Sequence, residues 1–161
     1  MNYSEEFTTF TTKFIFEWEC EYRKGHYGDI NYVTWEDVDG DPGGLTKWGI
    51  DKRSHPNEDI KNLTLDDALR IYWNDYWVKY GCDKMDGNIK FAHFNACVNC
   101  GSGRANRLLA SAHGSVNAYI DAQEDFYHNL VDGNSKYAKF LKGWLNRTRA
   151  LRKFIADYFS T

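Results

Sequence analysis

The sequence has little proline, few cysteines and no excess of basic residues. Only two of its 161 residues are proline, which favours helices, because proline is the strongest helix breaker. Four cysteines are too few and too scattered for a fold held together by disulfides. The net charge of −3 argues against a nucleic-acid-binding surface, which is normally basic. No apolar run approaches the ~20 residues that span a bilayer, so we expect no membrane insertion.

The N-terminal segment, residues 1–6, also lacks the basic and apolar regions of a signal peptide. We therefore expect synthesis in the cytoplasm, with any route outward supplied by another factor. The length of 161 residues is that of one domain. Aromatic residues make up 17% of the chain, which is enough to supply stacking faces for ligands as well as a core.

Cys97 and Cys100 have the spacing of a C-x-x-C motif, but nothing else in the sequence completes a metal or redox site. There is no second C-x-x-C and no thioredoxin-like context. The five histidines form no ligand pattern. We therefore expect neither a metal nor another cofactor, and we interpret the two cysteines as small buried residues on a helix.

Apolar residues recur at helical spacing along most of the chain, which predicts a mainly α fold. Ser4, followed by two glutamates, is a good N-cap for the first helix. Thr64 and Asp67 have the spacing of a capping box, and four further helices are predicted towards the C-terminus. Strand propensity over residues 32–35 and around Thr46 predicts a small antiparallel sheet.

Two stretches near the N-terminus contain the residues most relevant to chemistry. Residues 14–19 are the apolar end of the first helix and deliver Glu19 at its C-terminus. Residues 39–50 contain a Pro-Gly-Gly turn followed by the short strand with Thr46. A carboxylate on a helix end that faces a carboxylate and a hydroxyl on a hairpin can form a hydrolytic cleft.

These stretches resemble glycoside hydrolase family 108, a lysozyme-like family of peptidoglycan muramidases. The family segment D-P-G-G-x-T-x-x-G-I corresponds to residues 41–50, and its helix with Ile-Tyr and Tyr-Trp pairs corresponds to residues 68–77. The segment F-D-x-x-V-N-x-G-x-x-x-A is similar to residues 94–105, and G-W-x-x-R to residues 143–147. The resemblance implies a lysozyme-like helical domain with a small antiparallel β element beside the active site.

The chain departs from the family pattern at three points. The catalytic Glu-Gly-Gly-Tyr is replaced by residues 19–22, Glu-Cys-Glu-Tyr, which leaves the choice of glutamate open. The segment between Glu19 and Asp41 is longer than usual, which leaves Asp39 as an alternative to Asp41. Asn95 stands where the family has aspartate.

The resemblance implies three catalytic residues. Glu19 is the general acid, because it best matches the motif's glutamate, and its position beside Trp18 at a helix end suits an acid. Asp41 is the base or the charge that stabilises the oxocarbenium-like transition state, and Thr46 holds the attacking water. The residues alone also fit a solvated glutamate, a turn aspartate and an ordinary strand threonine.

Six further residues are predicted to contact substrate. They are, in chain order, Trp48, Trp73, Trp77, Asn99, Arg104 and Arg147. The three tryptophans can stack on sugar rings, and the three polar residues match family positions and can bind N-acetyl or lactyl groups. Core packing and helix–helix hydrogen bonds are the competing interpretations.

Together these features predict a muramidase that cleaves the β-1,4 bond between N-acetylmuramic acid and N-acetylglucosamine in peptidoglycan. We expect a monomeric, phage-type endolysin or secretion factor that reaches the wall through holin-like or other assisted release. One lysozyme-like domain, 1–161, would have a catalytic lobe at 1–80 and a helical, peptidoglycan-binding lobe at 81–161. Two alternatives stay open: a catalytically weak peptidoglycan-binding protein or lysis accessory factor, and an adaptor whose aromatic surface binds protein.

Overall fold

The computed structural model describes residues 2–38 and 44–160, which form two compact units. Residues up to Asp75 belong to the first unit, and the second begins at Tyr76. The described part of the chain is mainly α-helical with one small antiparallel sheet, which confirms the predicted fold class. Within it, every helix is too short or too polar to cross a membrane.

The first unit begins with a helix in three parts: α1 (Glu5–Phe10), a π-helical turn (Thr11–Ile15) and α2 (Phe16–Glu19). Ser4 caps this helix as predicted, because its hydroxyl accepts a hydrogen bond from the Phe7 N–H. The π-helical turn adds a residue to one turn and shifts the phase of the apolar stripe. Trp18, which regular helical spacing from Phe14 would place on that stripe, is consequently only half-buried. The apolar residues that become fully buried are Phe7, Phe10, Phe14, Ile15 and Phe16.

Four short strands form the sheet in sequential order: β1 (Glu21–Tyr22), β2 (Val33–Asp37), β3 (Leu45–Lys47) and β4 (Ile50–Asp51). The predicted antiparallel pairing of β2 with β3 is confirmed, and its register places Glu36 opposite Thr46. The register decides which side chains share a face of the sheet, because successive residues of a strand point to opposite faces.

A two-residue turn, Trp48-Gly49, joins β3 to β4. Its φ angles are 58° and 74°, positive at both residues as a type I′ hairpin turn requires. Glycine adopts this conformation freely, whereas a side chain such as tryptophan is strained in it by about 1 kcal/mol. The Trp48 indole N–H donates to the Leu63 carbonyl at 2.9 Å, and the Trp48 carbonyl accepts the Tyr72 hydroxyl at 2.7 Å. Buried hydrogen bonds therefore fix the turn against the local preference of tryptophan.

Helix α3 (Leu65–Tyr72) starts at the predicted capping box. The Thr64 hydroxyl accepts the Asp67 N–H, and the Asp67 carboxylate accepts the Thr64 N–H. The helix continues into a second π-helical segment, Trp73–Val78, which again shifts the phase of the side chains that follow.

The second unit consists of helices and short turns. Its elements are a 3-10 turn (Cys82–Lys84), α4 (Ile89–Cys100), α5 (Ser102–Ala112), α6 (Val116–Gly133), a 3-10 turn (Ser135–Tyr137) and α7 (Ala138–Phe159). Gly101, at φ 83°, separates α4 from α5, and the Ser115 side chain caps α6. The core of this unit includes Phe91, Phe94, Ala105, Tyr119 and Leu151.

Candidate active site

Glu19 is the last residue of α2, so the predicted delivery of a carboxylate at the end of the first helix is confirmed. The helix ends there because Cys20 adopts an extended conformation, with φ −92° and ψ 149°. The Tyr22 hydroxyl donates to the Phe16 carbonyl at 2.6 Å and so ties β1 to the last helical turn. The Glu19 side chain, held by this junction, is half-buried.

The main chain of Gly49 lies directly against Glu19. A Cβ placed on Gly49 would stand 2.8 Å from the Glu19 Cβ and 2.6 Å from the Tyr72 hydroxyl oxygen. Both distances are below 3.0 Å, which real Cβ atoms essentially never show. Position 49 therefore requires glycine for this close approach as well as for its positive φ. The β3–β4 turn consequently lies at the base of the Glu19 side chain.

Thr46 is the middle residue of β3, three positions before Gly49. Its side chain is half-buried, and its hydroxyl donates to the Gly44 carbonyl at 3.3 Å. The residues directly opposite Thr46 are Glu36 in β2 and Asp51 in β4. Because directly opposed residues of antiparallel strands share a face, the sheet presents a hydroxyl between two carboxylates.

The second catalytic carboxylate predicted from the sequence, Asp41, lies outside the described residues 2–38 and 44–160. The alternative, Asp39, lies in the same segment. The catalytic roles of both stay predictions.

Glu21 and Glu36 are neighbouring carboxyl groups on the sheet. Glu21 is opposite Thr34 in β2, and Glu36 follows Thr34 by two residues, so all three side chains project from one face. Partial burial, together with the charge and the hydrogen bond of Glu36, raises the pKa of Glu21.

A cavity of about 340 Å³ opens next to the end of α2. Its lining includes Glu17 and Glu21, together with the aromatic side chains of Trp18, Tyr22 and Tyr27. Glu17 and Glu21, the two other glutamates near the end of the first helix, thus line one cavity, although the helix ends at Glu19 and Glu21 lies in β1. The catalytic candidate is not part of this lining and adjoins the β3–β4 turn instead.

Trp48 and Trp77 lie in the cores of their units, with 5% and 1% of their surfaces exposed. The Trp48 ring packs on Phe16 at 5.1 Å, and the Trp77 ring packs edge-on to Phe94 at 5.2 Å. The stacking roles predicted for these two side chains are therefore corrected, because an enclosed ring offers no face to a sugar. For Trp77 the cause is its position within the π-helical segment Trp73–Val78, where the wider turn changes the direction of the side chains relative to a regular α-helix.

Trp73 and Arg104 each keep an exposed part. Trp73 is half-buried, with its ring edge-on to Phe7 at 4.9 Å. Arg104 is also half-buried, with its guanidinium 4.2 Å from the centre of the Phe126 ring. Their substrate-binding roles stay predictions.

Arg147 and Asn99 belong to a polar network inside the second unit. Arg147, which is 6% exposed, donates to the Asn95 side-chain oxygen at 3.0 Å and to the Asn99 side-chain oxygen at 3.5 Å. The Asn99 amide donates to the Tyr127 hydroxyl at 2.5 Å, and the buried Gln123 amide donates to the same hydroxyl at 2.9 Å. These bonds connect α4, α6 and α7, as the competing interpretation of helix–helix hydrogen bonding expects.

Cys97 and His93 are neighbours in the core of the second unit, with the sulfur 3.7 Å from the His93 Nε2. The Tyr119 hydroxyl donates to the Ala105 carbonyl, so it accepts a hydrogen bond from the His93 Nδ1–H at 2.9 Å. Burial lowers the pKa of His93 to about 4 and raises the pKa of Cys97 to about 12. Both side chains are therefore neutral near pH 7 and have a structural role. No cluster of three or more His, Cys, Asp or Glu within residues 2–38 and 44–160 is arranged to hold a metal.

Comparisons with known proteins bear on the same region. No curated protein and no solved structure matches the chain. The sequence model of the family Glycosyl hydrolase 108 matches residues 13–101, which is more than half of the 161 residues. The match contains Glu19, Thr46 and all four strands of the sheet, and it ends at Gly101, between α4 and α5. The chain therefore belongs to glycosyl hydrolase family 108 and is a glycoside hydrolase.

Proposed function

We propose that the protein hydrolyses peptidoglycan at the β-1,4 bond between N-acetylmuramic acid and N-acetylglucosamine, with Glu19 as the general acid. The observation that carries the proposal is the placement of Glu19 inside the region matched by the family. Its side chain is half-buried at the end of α2, and its Cβ lies against the Gly49 main chain of the β3–β4 turn. A carboxyl group held by a helix end and a hairpin has the fixed position that proton transfer requires.

Glycoside hydrolysis needs an acid that protonates the leaving oxygen and a group on the opposite face of the sugar. The Thr46 hydroxyl, three residues before Gly49, is suited to hold a water molecule there. A water held by a hydroxyl supports a single displacement with inversion, because a retaining enzyme uses a carboxylate nucleophile at that place. We therefore propose an α-configured reducing end as the first product.

The decisive experiment is digestion of purified peptidoglycan, followed by borohydride reduction and mass spectrometry of the fragments. The reduced sugar identifies the bond that was cut. Reduced N-acetylmuramic acid, produced by the parent and absent with Glu19→Gln, supports the proposal. Reduced N-acetylglucosamine, or no new reducing end, contradicts it.

For the biological setting we propose a monomeric endolysin or secretion factor that is made in the cytoplasm and reaches the wall by assisted release. The helical lobe at 81–161 is proposed to bind peptidoglycan. Cells that express the protein should lyse only after the inner membrane is permeabilised. Lysis without permeabilisation would contradict the requirement for assisted release, and a dimer in light scattering would contradict the monomer.

A binding protein with little catalysis is the second candidate, because Cys20 and Glu21 replace the two glycines of the family's catalytic motif. The conformation of Cys20 counts against a loss of activity from that cause. Its φ of −92° and ψ of 149° are ordinary for any residue, and its side chain is buried. Sedimentation with purified walls, without a fall in turbidity, would favour the binding protein.

A further inference from the structure

We propose that Glu36 is the catalytic base, the carboxylate that accepts the proton of the attacking water held by Thr46. The inference rests on the proposed function and adds a residue of β2 to its active site. It replaces Asp41 in the role of base.

The register of the sheet places Glu36 beside Thr46. The two residues are directly opposite each other, so their side chains project from the same face with Cβ atoms roughly 5 Å apart. A slip by one residue would turn Glu36 to the other face. Three consecutive pairs fix the register: Trp35–Lys47, Glu36–Thr46 and Asp37–Leu45.

The hydrogen bond of Thr46 leaves its oxygen free to receive a water proton. The hydroxyl proton is directed to the Gly44 carbonyl, so the oxygen's lone pairs remain as acceptors. A water that donates one proton to this oxygen has its second proton available for the carboxylate on the neighbouring strand. The hydroxyl therefore positions the water, and the carboxylate removes the proton.

Glu36 shares its face of the sheet with Glu21 and Thr34 as well as with Thr46. Glu36 is exposed, so a water and a sugar can reach it. Glu36 thus supplies an accessible carboxylate on the face that carries Thr46.

Asp51, the other carboxylate opposite Thr46, is engaged differently. One of its oxygens accepts the Ser54 N–H at 3.1 Å in the turn after β4. That bond gives Asp51 a turn-forming role. The Asp51 side chain is also half-buried, whereas the Glu36 side chain is exposed.

The hairpin that carries Thr46 also adjoins the acid. Gly49 follows Thr46 by three residues, and its main chain lies against the Cβ of Glu19. All of these residues belong to the first unit. The first unit therefore positions both Glu19 and the pair formed by Glu36 and Thr46.

In the reaction, the water oxygen attacks the anomeric carbon while the glycosidic C–O bond breaks. Glu19 gives its proton to the leaving oxygen, and Glu36 takes the proton that the water releases. Exchange with solvent then returns both groups to their starting states. The attack from the opposite face converts a β bond into an α-configured product.

The test compares Glu36→Gln with Asp37→Asn, its neighbour on the opposite face of β2. The initial rate of reducing-end release, the thermal melt and sedimentation with walls are measured for both. We expect Glu36→Gln to lose 10²-fold or more in kcat, with KM, melting and wall binding close to those of the parent. Asp37→Asn should stay within a few-fold of the parent in kcat. A near-parent rate for Glu36→Gln would overturn the assignment, and so would a comparable loss confined to Asp41→Asn or Asp51→Asn.

Rescue by azide distinguishes a catalytic role of Glu36 from a structural one. In Glu36→Ala the small anion can attack the anomeric carbon without a base, so we expect azide to restore the rate and to yield an α-glycosyl azide. Unchanged rates with azide, in a variant that melts cooperatively and binds walls, would overturn the proposal. Failure of the proposed function is distinct: the parent itself would then release no N-acetylmuramic acid reducing ends.

Discussion

The Glu19 Cβ lies 2.8 Å from the point at which a Gly49 side chain would begin. The end of the helix and the β3–β4 turn can approach this closely only because residue 49 has no side chain. The position of the proposed acid is therefore coupled to the conformation of a turn that is distant in sequence.

Gly49→Ala should destabilise the protein and impair cleavage. The substitution adds strain at φ 74° and a clash with Glu19 and Tyr72, so we expect a loss of more than about 2 kcal/mol in the free energy of unfolding. Activity per folded molecule should fall at least tenfold. The control is Gly28→Ala, where φ is 82° and the added methyl meets nothing within 4 Å. Urea unfolding and reducing-end release measure both effects, and equal losses in the two variants would contradict the argument.

Tyr72→Phe should leave the Trp48 carbonyl without its hydroxyl donor. A buried carbonyl that loses its partner costs roughly 1–3 kcal/mol in the free energy of unfolding. The change also removes the hydroxyl nearest to an added methyl at Gly49, so the two substitutions should cost less together than the sum of their single effects. A double-mutant cycle in urea measures this coupling. Tyr27→Phe, at a ring that is 68% exposed, should be near neutral; strict additivity would contradict the proposed contact.

Glu19→Gln should abolish wall clearing, because the amide has no proton to give at neutral pH. The fold and sedimentation with walls should be retained. Glu17→Gln and Glu21→Gln are the matched controls, since both line the neighbouring cavity, and they should keep substantial activity. Near-parent clearing by Glu19→Gln would contradict the assignment of the acid. Loss of activity in Glu21→Gln alone would show that the family motif is aligned two residues out of place.

The activity of Thr46 variants should depend on whether the side chain keeps a hydroxyl. Thr46→Ser keeps the oxygen that accepts a water proton, so it should retain more activity than Thr46→Ala or Thr46→Val. Valine is the sharper control, because it preserves the branched shape of threonine within β3. The initial rate of reducing-end release at matched folded concentration is the measurement. Equal rates for the serine and valine variants would exclude a water-holding role.

Acidification should weaken the second unit through His93. Burial lowers the pKa of this imidazole to about 4, whereas an unfolded histidine has a pKa of about 6.5. The unfolded chain therefore binds a proton first as the pH falls. The free energy of unfolding should drop between about pH 6.5 and pH 4, by at most roughly 3 kcal/mol, and the effect should level off below pH 4.

Denaturant unfolding across that range checks the dependence on pH. His93→Gln should be less stable near pH 7 and should show a flatter profile between pH 6.5 and pH 4. His128→Gln, at an exposed position, should keep the profile of the parent. A parent-like slope in His93→Gln would assign the acid sensitivity to other groups.

The helix starts were predictable because their chemistry is local. Ser4, Thr64 and Ser115 each bond a backbone N–H three residues ahead, and a sequence pattern of four residues contains that information. The turn at Gly101 follows in the same way from the freedom of glycine at positive φ. The pairing of β2 with β3 needed only strand propensity and turn residues.

The surroundings of Trp18 and Trp77 were not predictable from a stripe with 3.6 residues per turn. Each follows or lies within a π-helical segment, where one turn holds an additional residue and the side chains after it point in a different direction. No residue type marks such a segment reliably. The prediction of a sugar-stacking Trp77 was therefore wrong, and Trp18, which regular helical spacing would place in the core, is only half-buried.

The neighbours of Thr46 depended on register, which the sequence did not specify. Period-two alternation places Glu36 on the same face as Thr34, but it does not tell which face of β2 meets the hydroxyl of β3. The connection between the strands decides that. The carboxylate opposite Thr46 could therefore be identified only from the paired strands.

The π-helical turn at Thr11–Ile15 also sets the direction of Glu19. Each residue of an α-helix turns the chain by about 100°. Deleting one residue within the turn could restore a continuous α-helix, and it would rotate Glu19 by about that angle relative to Phe7 and Phe10. The direction of the Glu19 side chain relative to the core-facing side of the helix therefore depends on a single residue more or fewer in this turn. Insertions and deletions here, rather than substitutions, would redirect the carboxylate without breaking the helix.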